Sequence, residues 1–318
     1  MNETAPLLSI PEVPAPEGGV GEWFEGFGGV RLRAARFPAK GKVRGSVVLS
    51  TGRTETIEKY FEVISELQGR GFVVLAHDWR GQGLSGRLLS ERLRGHAQGI
   101  EPFLKDFSLL LDHFEARLPK PWISLAHSMG GGLTMLALSG GAAARFVAAA
   151  FSAPMWAVVT KGVAYPVARA LTWTSSRIGF ADSYLFGDPG NPFKITFEGD
   201  RLGHERWRWD RYRTQINACP DLALGNLTWG WLEFAMALSS RIRRPGVVEK
   251  LTLPTLVAAA GDDDRVQTPL TRAQAARLPN GKYVEIPGSY HEILMERDDI
   301  RAVFWTAFDE LVDSVAPR

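Results

Sequence analysis

Residues 122–132 read Trp-Ile-Ser-Leu-Ala-His-Ser-Met-Gly-Gly-Gly, an apolar run that meets a glycine cluster with no loop between them. Trp122–Ala126 is too short for a helix and suits a buried strand, whereas Leu133–Leu138 continues as part of a helix. The chain must therefore turn sharply from strand to helix at Ser128. Ala126, Gly130, Gly131 and Gly132 are small, which lets strand and helix backbones pass close together. A serine there stands at a helix N-terminus, whose dipole favours developing negative charge. The plain alternative is a serine that merely caps a helix.

The same rhythm recurs along the chain. Val30–Phe37 reads as an outer strand, and Ser46–Leu49, Phe72–Ala76, Phe146–Phe151, Thr255–Ala260 and Tyr283–Ile286 as further strands. Helical spacing of apolar residues marks Glu55–Gly69, Glu101–Leu118 and Ile300–Val315. Short buried strands alternating with helices imply an α/β fold, a mostly parallel sheet covered by helices on both faces. Between Pro154 and Pro245 the alternation stops. The expected organisation is an extended N-terminal arm (1–20), a core from 21–153 and 247–318, and a mainly helical lid insertion at 154–246.

Charge is nearly balanced, with 37 basic and 35 acidic residues, so the chain lacks the electrostatic footprint of a nucleic-acid binder. One cysteine, Cys219, excludes an internal disulfide framework and a cysteine metal cluster, and a reducing compartment is the natural reading. Met1–Pro16 holds four prolines and lacks the basic patch and apolar run of a secretory signal. It reads as an extended or disordered arm. No apolar stretch approaches the roughly 20 residues that span a bilayer. These features give the expectation of a cytoplasmic protein, with peripheral contact at a membrane surface left open to the lid.

A serine hydroxyl needs a base, and the base needs an orienting group. Of six histidines, His291 in Gly-Ser-Tyr-His-Glu follows the last expected strand and is the candidate base. His77 and His127 adjoin buried strands and read as packing or turn residues. The acid should follow Thr255–Ala260, where the chain reads Gly261-Asp262-Asp263-Asp264-Arg265-Val266. The usual spacing of Gly, two residues, Asp, one residue and Val selects Asp264. Asp262 and Asp263 are the competing carboxylates, read as turn formers and solvated charges. Acyl transfer also needs donors for an oxyanion. The amides of Met129, just after the serine, and of Arg53, in the loop Thr51-Gly52-Arg53-Thr54, are the candidates, with Thr54 as the fallback.

Together these stretches resemble the lysophospholipase and monoacylglycerol-lipase branch of the α/β-hydrolases. The resemblance is carried by Gly52-Arg53-Thr54-Glu55 with Glu58-Lys59-Tyr60, Asp78-Trp79-Arg80-Gly81-Gln82-Gly83 with Ser85-Gly86-Arg87, Gly95-His96, His127 to Gly131, and Gly288 to Glu292. It runs from about Val30 to the C-terminus and is weak in the insertion. The Asp-Trp-Arg-Gly-Gln-Gly loop belongs to the bacterial lysophospholipase-like side. Thr51-Gly52 replaces the His-Gly usual in monoacylglycerol lipases, which weakens any transfer of that specificity. The resemblance implies a serine hydrolase acting on a small-molecule carboxylic ester, a single-acyl lipid or similar monoester, without metal or organic cofactor. Asp78, Arg80, Gly81 and Gly83 read as loop-shaping residues. The competing readings are an aminopeptidase-like amide hydrolase and a non-catalytic ligand-binding homologue.

Six of ten tryptophans lie in the insertion: Trp156, Trp173, Trp207, Trp209, Trp229 and Trp231. Thr54, Trp156, Trp229 and Trp231 are the candidate substrate contacts. An aromatic lid over the serine can line an acyl pocket or touch lipid, or it can form the lid's own core. Arg206, Arg208, Arg211 and Arg213, and likewise Arg241, Arg243 and Arg244, suit an anionic headgroup or a solvated face paired with carboxylates.

Overall fold

The computed structural model describes residues 3–160 and 162–317. Its strands are β1 (Thr4–Ala5), β2 (Val20–Glu25), β3 (Arg31–Phe37), β4 (Gly45–Ser50), β5 (Phe72–His77), β6 (Trp122–His127), β7 (Ala148–Ser152), β8 (Thr255–Ala260) and β9 (Gly281–Ile286). They form one sheet in the order β1-β2-β3-β5-β4-β6-β7-β8-β9. β1, β2, β3 and β5 pair antiparallel to their neighbours along that edge. From β5 through β9 every pairing is parallel.

The helices are α1 (Phe61–Gly69), α2 (Glu101–Phe114), α3 (Ser128–Ser139), α4 (Tyr165–Ser175), α5 (Phe197–Asp200), α6 (Arg206–Ala218), α7 (Trp229–Ile242), α8 (Thr268–Ala275) and α9 (Asp298–Val315). Every residue of β4, β5, β6 and β8 is buried, as a parallel sheet covered on both faces requires. Alternation along each strand splits the core in two. Val48, Val73 and Leu75 join Phe103, Phe107, Leu110 and Leu133 of α2 and α3. Val47, Leu49 and Val74 face Phe61, Ile64, Phe304 and Phe308 of α1 and α9.

Three expectations change. β3 is not an outer strand, because β1 and β2 extend the sheet beyond it. β2, Val-Gly-Glu-Trp-Phe-Glu, was hidden because its buried Glu22 breaks the apolar pattern; Arg117 holds that carboxylate at 2.6 Å. The N-terminal arm is extended but docked, not disordered, over the described residues. Thr4 and Ala5 pair with β2, the Pro6 carbonyl accepts from Arg33 Nη1 at 3.0 Å, and Val13 is buried.

Helices α4 to α7 occupy the insertion between β7 and β8. The insertion has one small buried cluster, Ile216, Leu222 and Ala223, and is otherwise joined to the core. Phe234 of α7 stacks on Phe103 of α2 with centroids 5.0 Å apart. Arg208 of α6 donates to both Glu62 oxygens, at 2.8 and 3.0 Å, and to the Glu296 carbonyl at 2.6 Å. Arg211 adds a bond to Glu62 at 3.1 Å. Those two arginines of the first cluster therefore anchor the lid to the sheet domain.

Candidate active site

The turn expected at residue 128 is present, and its glycines are required by contact. Ser128 has φ +50°, a left-handed conformation costly for a residue with a Cβ. A Cβ on Gly130 would lie 2.4 Å from the Thr51 carbonyl oxygen and 2.6 Å from that of Ser50. One on Gly131 would meet Pro154, and one on Gly132 would meet the Met155 carbonyl at 2.8 Å. The elbow thus exists because β4, β6 and α3 converge with no space for side chains.

His291 Nε2 lies 2.8 Å from Ser128 Oγ. On its other side His291 Nδ1 lies 2.7 Å from Asp263 Oδ2. The carboxylate facing the base is therefore Asp263, not Asp264 as the spacing suggested. Asp263 Oδ1 accepts from the amides of Arg265 and Val266, at 2.8 and 3.0 Å, so the side chain both caps its own turn and faces the imidazole. The Asp264 side chain is 46% exposed and pairs with Arg265 at 3.1 Å. The signal lay in turn chemistry: an aspartate that bonds amides two and three residues on is pulled inward by its own loop. Counting from Gly261 is displaced by one residue by that turn.

Burial disfavours a charged His291, but the Asp263 carboxylate and its hydrogen bond outweigh burial and raise its pKa above the ordinary 6.5. Burial likewise works against the Asp263 charge, and the imidazole and backbone amides overcome it, leaving its pKa below the ordinary value.

The loop before α1 is packed onto Ser128. A Cβ on Gly52 would lie 3.0 Å from the Ser128 Cβ, so the backbone at Arg53 necessarily passes beside the serine. Gln82 clamps this loop from both sides: its Oε1 accepts from the Thr54 amide at 2.7 Å and its Nε2 donates to the Gly52 carbonyl at 3.0 Å. That commits the Thr54 amide and removes it as a fallback donor. Trp79 Nε1 donates to the Thr51 carbonyl at 2.9 Å. The Glu55 carboxylate accepts from the Gly52 amide and from Tyr60 Oη. The Arg53 amide has no acceptor among the described residues, nor does that of Met129 in the first turn of α3. The Asp-Trp-Arg-Gly-Gln-Gly loop is structural as read, since Asp78 accepts from buried Arg33 at 2.7 Å and from the Ile57 amide at 3.0 Å. Gln82 and Glu55 are the residues that motif matching alone left without a role.

Behind Asp263, His291 and Ser128 lies a buried ionic group. Lys59 bonds Glu292 and lies 3.2 Å from Glu55. The ring of His127 sits 5.0 Å from that of His291, with its Nδ1 2.9 Å from the Ser152 carbonyl. Burial depresses the His127 pKa to about 4, so it stays neutral beside the base. Burial pushes the Glu55 carboxyl up, but His127 and Lys59 outweigh it and bring it down to about 2. His127 is packed, as expected, yet it belongs to the site's surroundings.

Ser128 and His291 open on a cavity of about 570 Å³, within the usual range for a ligand pocket. Met155, Val158, Leu227 and Leu232 supply apolar wall, and Arg53, Asn191, Asn226 and Arg265 supply polar groups. Of the four expected substrate contacts, Thr54 and Trp231 line this cavity. Trp156 does not: it is fully buried, packed edge-on to Phe151, with Nε1 donating to the Gly131 carbonyl at 3.3 Å. Trp229 instead packs edge-on to Phe186, away from the lining. Among the described residues no group of three or more His, Cys, Asp or Glu side chains is arranged to hold a metal ion.

A mostly parallel sheet flanked by helices, with the elbow serine after β6 and the histidine loop after β9, is the α/β-hydrolase fold. The chain belongs to the Hydrolase_4 family, described as serine aminopeptidase, S33, whose model matches residues 41–298. It is 31% identical over 290 residues to lysophospholipase L2 of Escherichia coli K12, covering 88% of this chain and 83% of that protein. It is 27% identical over 276 residues to a monoacylglycerol lipase of Mycolicibacterium smegmatis, covering 86% and 90%. Among solved structures, a soluble variant of the Saccharomyces cerevisiae monoglyceride lipase superposes with a TM-score of 0.74 at 17% identity, covering 98% of this chain and 99% of that one.

Proposed function

We propose that this protein is a carboxylic-ester hydrolase acting on single-acyl lipids through an acyl-enzyme on Ser128. The observation that carries the reading is the hydrogen-bonded series Asp263–His291–Ser128, held at the Asp263 end by the Arg265 and Val266 amides. His291 removes the Ser128 proton as Oγ attacks the ester carbonyl. The amides of Arg53 and Met129 receive the oxyanion, a contribution worth about a hundred- to a thousandfold in rate per donor. Collapse expels the alcohol, which takes the proton held on His291 Nε2. Water, deprotonated by the same imidazole, then attacks the acyl-enzyme, and Ser128 recovers its proton as the fatty acid leaves. Asp263 keeps the Nδ1 proton in place throughout.

Support for the substrate class comes from the lipid esters named for the relatives and from the apolar wall of the cavity. The family description includes aminopeptidases, and an amide-cleaving reading would need a carboxylate free to take a substrate amine. The carboxylates at this cavity are engaged: Asp264 with Arg265, Glu292 with Lys59, Glu55 with Lys59, Tyr60 and the Gly52 amide, and Asp200 with Trp209 Nε1. Ester cleavage is therefore favoured.

The lid carries a set of exposed apolar residues, Val167, Leu171, Trp173, Ile178, Phe180 and Phe186, the last 82% exposed. Such a concentration suits docking at a lipid surface from which single-acyl substrate is drawn. Among the described residues no helix is long and apolar enough to cross a membrane. The test of the catalytic reading is a panel of monoacylglycerols, lysophospholipids and aminoacyl anilides given to the wild type. Ester turnover without anilide turnover is expected, and the reverse would overturn the assignment.

A further inference from the structure

The buried arginines of this molecule are paired with carboxylates. Arg33 meets Glu58 and Asp78, Arg80 meets Asp106, and Arg301 meets Glu62 and Glu66. Arg53 is half-buried and has no carboxylate partner, as is also true of Arg87, but unlike Arg87 it lines the cavity at Ser128. Its Nη2 donates to the Gly225 carbonyl at 2.6 Å and its guanidinium lies 5.2 Å above the Trp231 ring. Its Nε is buried without an acceptor, and no carboxylate lies within ion-pair distance among the described residues. A second cation, Arg265, lines the same cavity, itself paired with Asp264 at 3.1 Å. Burial first, and then Arg265, push the Arg53 pKa down to about 10, so it is charged at neutral pH but electrostatically unsatisfied. A cation held in a half-dry wall without a counter-charge is costly to the fold. Its place beside the nucleophile makes an anionic ligand the natural compensation.

We propose that the Arg53 guanidinium, with Arg265 of the same cavity lining, receives the headgroup phosphate of a lysophospholipid and so makes phosphate-bearing single-acyl lipids better substrates than neutral ones. The proposal rests on the ester-hydrolase reading above. Arg53 then serves twice: its amide faces the oxyanion, and its side chain takes the phosphate. With Nε buried and Nη2 held by Gly225, Nη1 is the nitrogen left without an acceptor among the described residues, and it is the one that meets a phosphate oxygen. The Gly225 carbonyl and Trp231 hold it in place, and Gly225 and Trp231 themselves line the cavity. A neutral monoacylglycerol would leave this cation uncompensated when the cavity fills.

The test compares kcat/KM for octanoyl lysophosphatidylglycerol and octanoyl monoacylglycerol, both kept below micelle formation, in wild type, R53Q and R265Q. Fluorophosphonate labelling of Ser128 monitors the fold of each variant. The wild type should prefer the phosphate ester, and R53Q should lose at least about tenfold more on it than on the neutral ester. R265Q should lose less, in the same sense. Equal losses on both esters would overturn the proposal while leaving ester hydrolysis standing; no turnover of either ester by wild type would instead overturn that underlying reading. A wild-type measurement decides independently of whether the variants fold. sn-Glycerol 3-phosphate should compete with the neutral ester, whereas glycerol should not. Absence of that competition, or equal competition by inorganic phosphate alone, would overturn the headgroup assignment.

Discussion

Replacing Asp263 by asparagine isolates the orienting carboxylate with little disturbance of the loop. The asparagine Oδ1 can still accept from the Arg265 and Val266 amides, which hold the turn at 2.8 and 3.0 Å. What changes is the atom facing His291 Nδ1 at 2.7 Å, from an acceptor to an N–H donor. Two donors cannot share that contact, so the imidazole must adopt the tautomer protonated on Nε2. Nε2 then donates to Ser128 Oγ, across the 2.8 Å contact, instead of accepting its proton. Loss of the correct tautomer costs about ten-thousandfold in kcat, or about 5.5 kcal/mol of transition-state stabilisation. Asp264→Asn touches only an exposed pair with Arg265, worth about 0–1 kcal/mol, so its rate should stay within about fivefold of wild type. Steady-state hydrolysis of a short aryl ester, with matched circular dichroism, reads both. The reasoning is refuted if D263N keeps more than about a tenth of the activity, or if D264N is the crippled variant.

Other outcomes follow from the same geometry. His291 must be neutral to act as base, and its pKa is raised by Asp263 against the pull of burial; the acid limb of kcat/KM should therefore lie above pH 6.5, and in D263N, where only Glu292 and Glu55 still oppose burial, at lower pH than in wild type. Gln82→Ala frees both sides of the loop that carries the Arg53 amide, so kcat should fall about tenfold or more with KM little changed, toward the loss expected for a missing oxyanion donor. Gly130→Ala places a Cβ 2.4 Å from the Thr51 carbonyl and should lower the melting temperature sharply as well as abolish turnover. Phe186→Ser with Ile178→Ser should weaken co-sedimentation with lipid vesicles while leaving hydrolysis of a water-soluble ester intact.

Much of the sheet was legible because a parallel sheet makes its strands apolar throughout, and β4, β5, β6 and β8 all carry that mark. β2 was not legible, since its half-polar sequence depends on an antiparallel neighbour and on Arg117 for the buried Glu22. Ser128 and His291 could be placed because backbone sterics and strand ends fix them. The acid was missed by one position because three consecutive aspartates differ only in which way the turn aims them, and that is set by amides at 265 and 266. Trp156 and Trp229 were drawn toward the substrate by composition alone. Tertiary packing decided otherwise: Trp156 wedges beneath the elbow, whereas Trp231, two residues after Trp229 on α7, lines the cavity. Arg53 was read only through its backbone, because nothing in its local sequence says that no carboxylate will arrive.

The central claim is acyl transfer through Ser128, and a quenched turnover reaction reaches it most directly. The protein is mixed with a slowly deacylating octanoyl ester, stopped in acid and digested, and the acylated peptide is mapped by mass spectrometry. The account predicts one octanoyl adduct, on Ser128, that is absent in Ser128→Ala together with ester turnover. An adduct on another residue, or turnover in Ser128→Ala close to that of wild type, would contradict it.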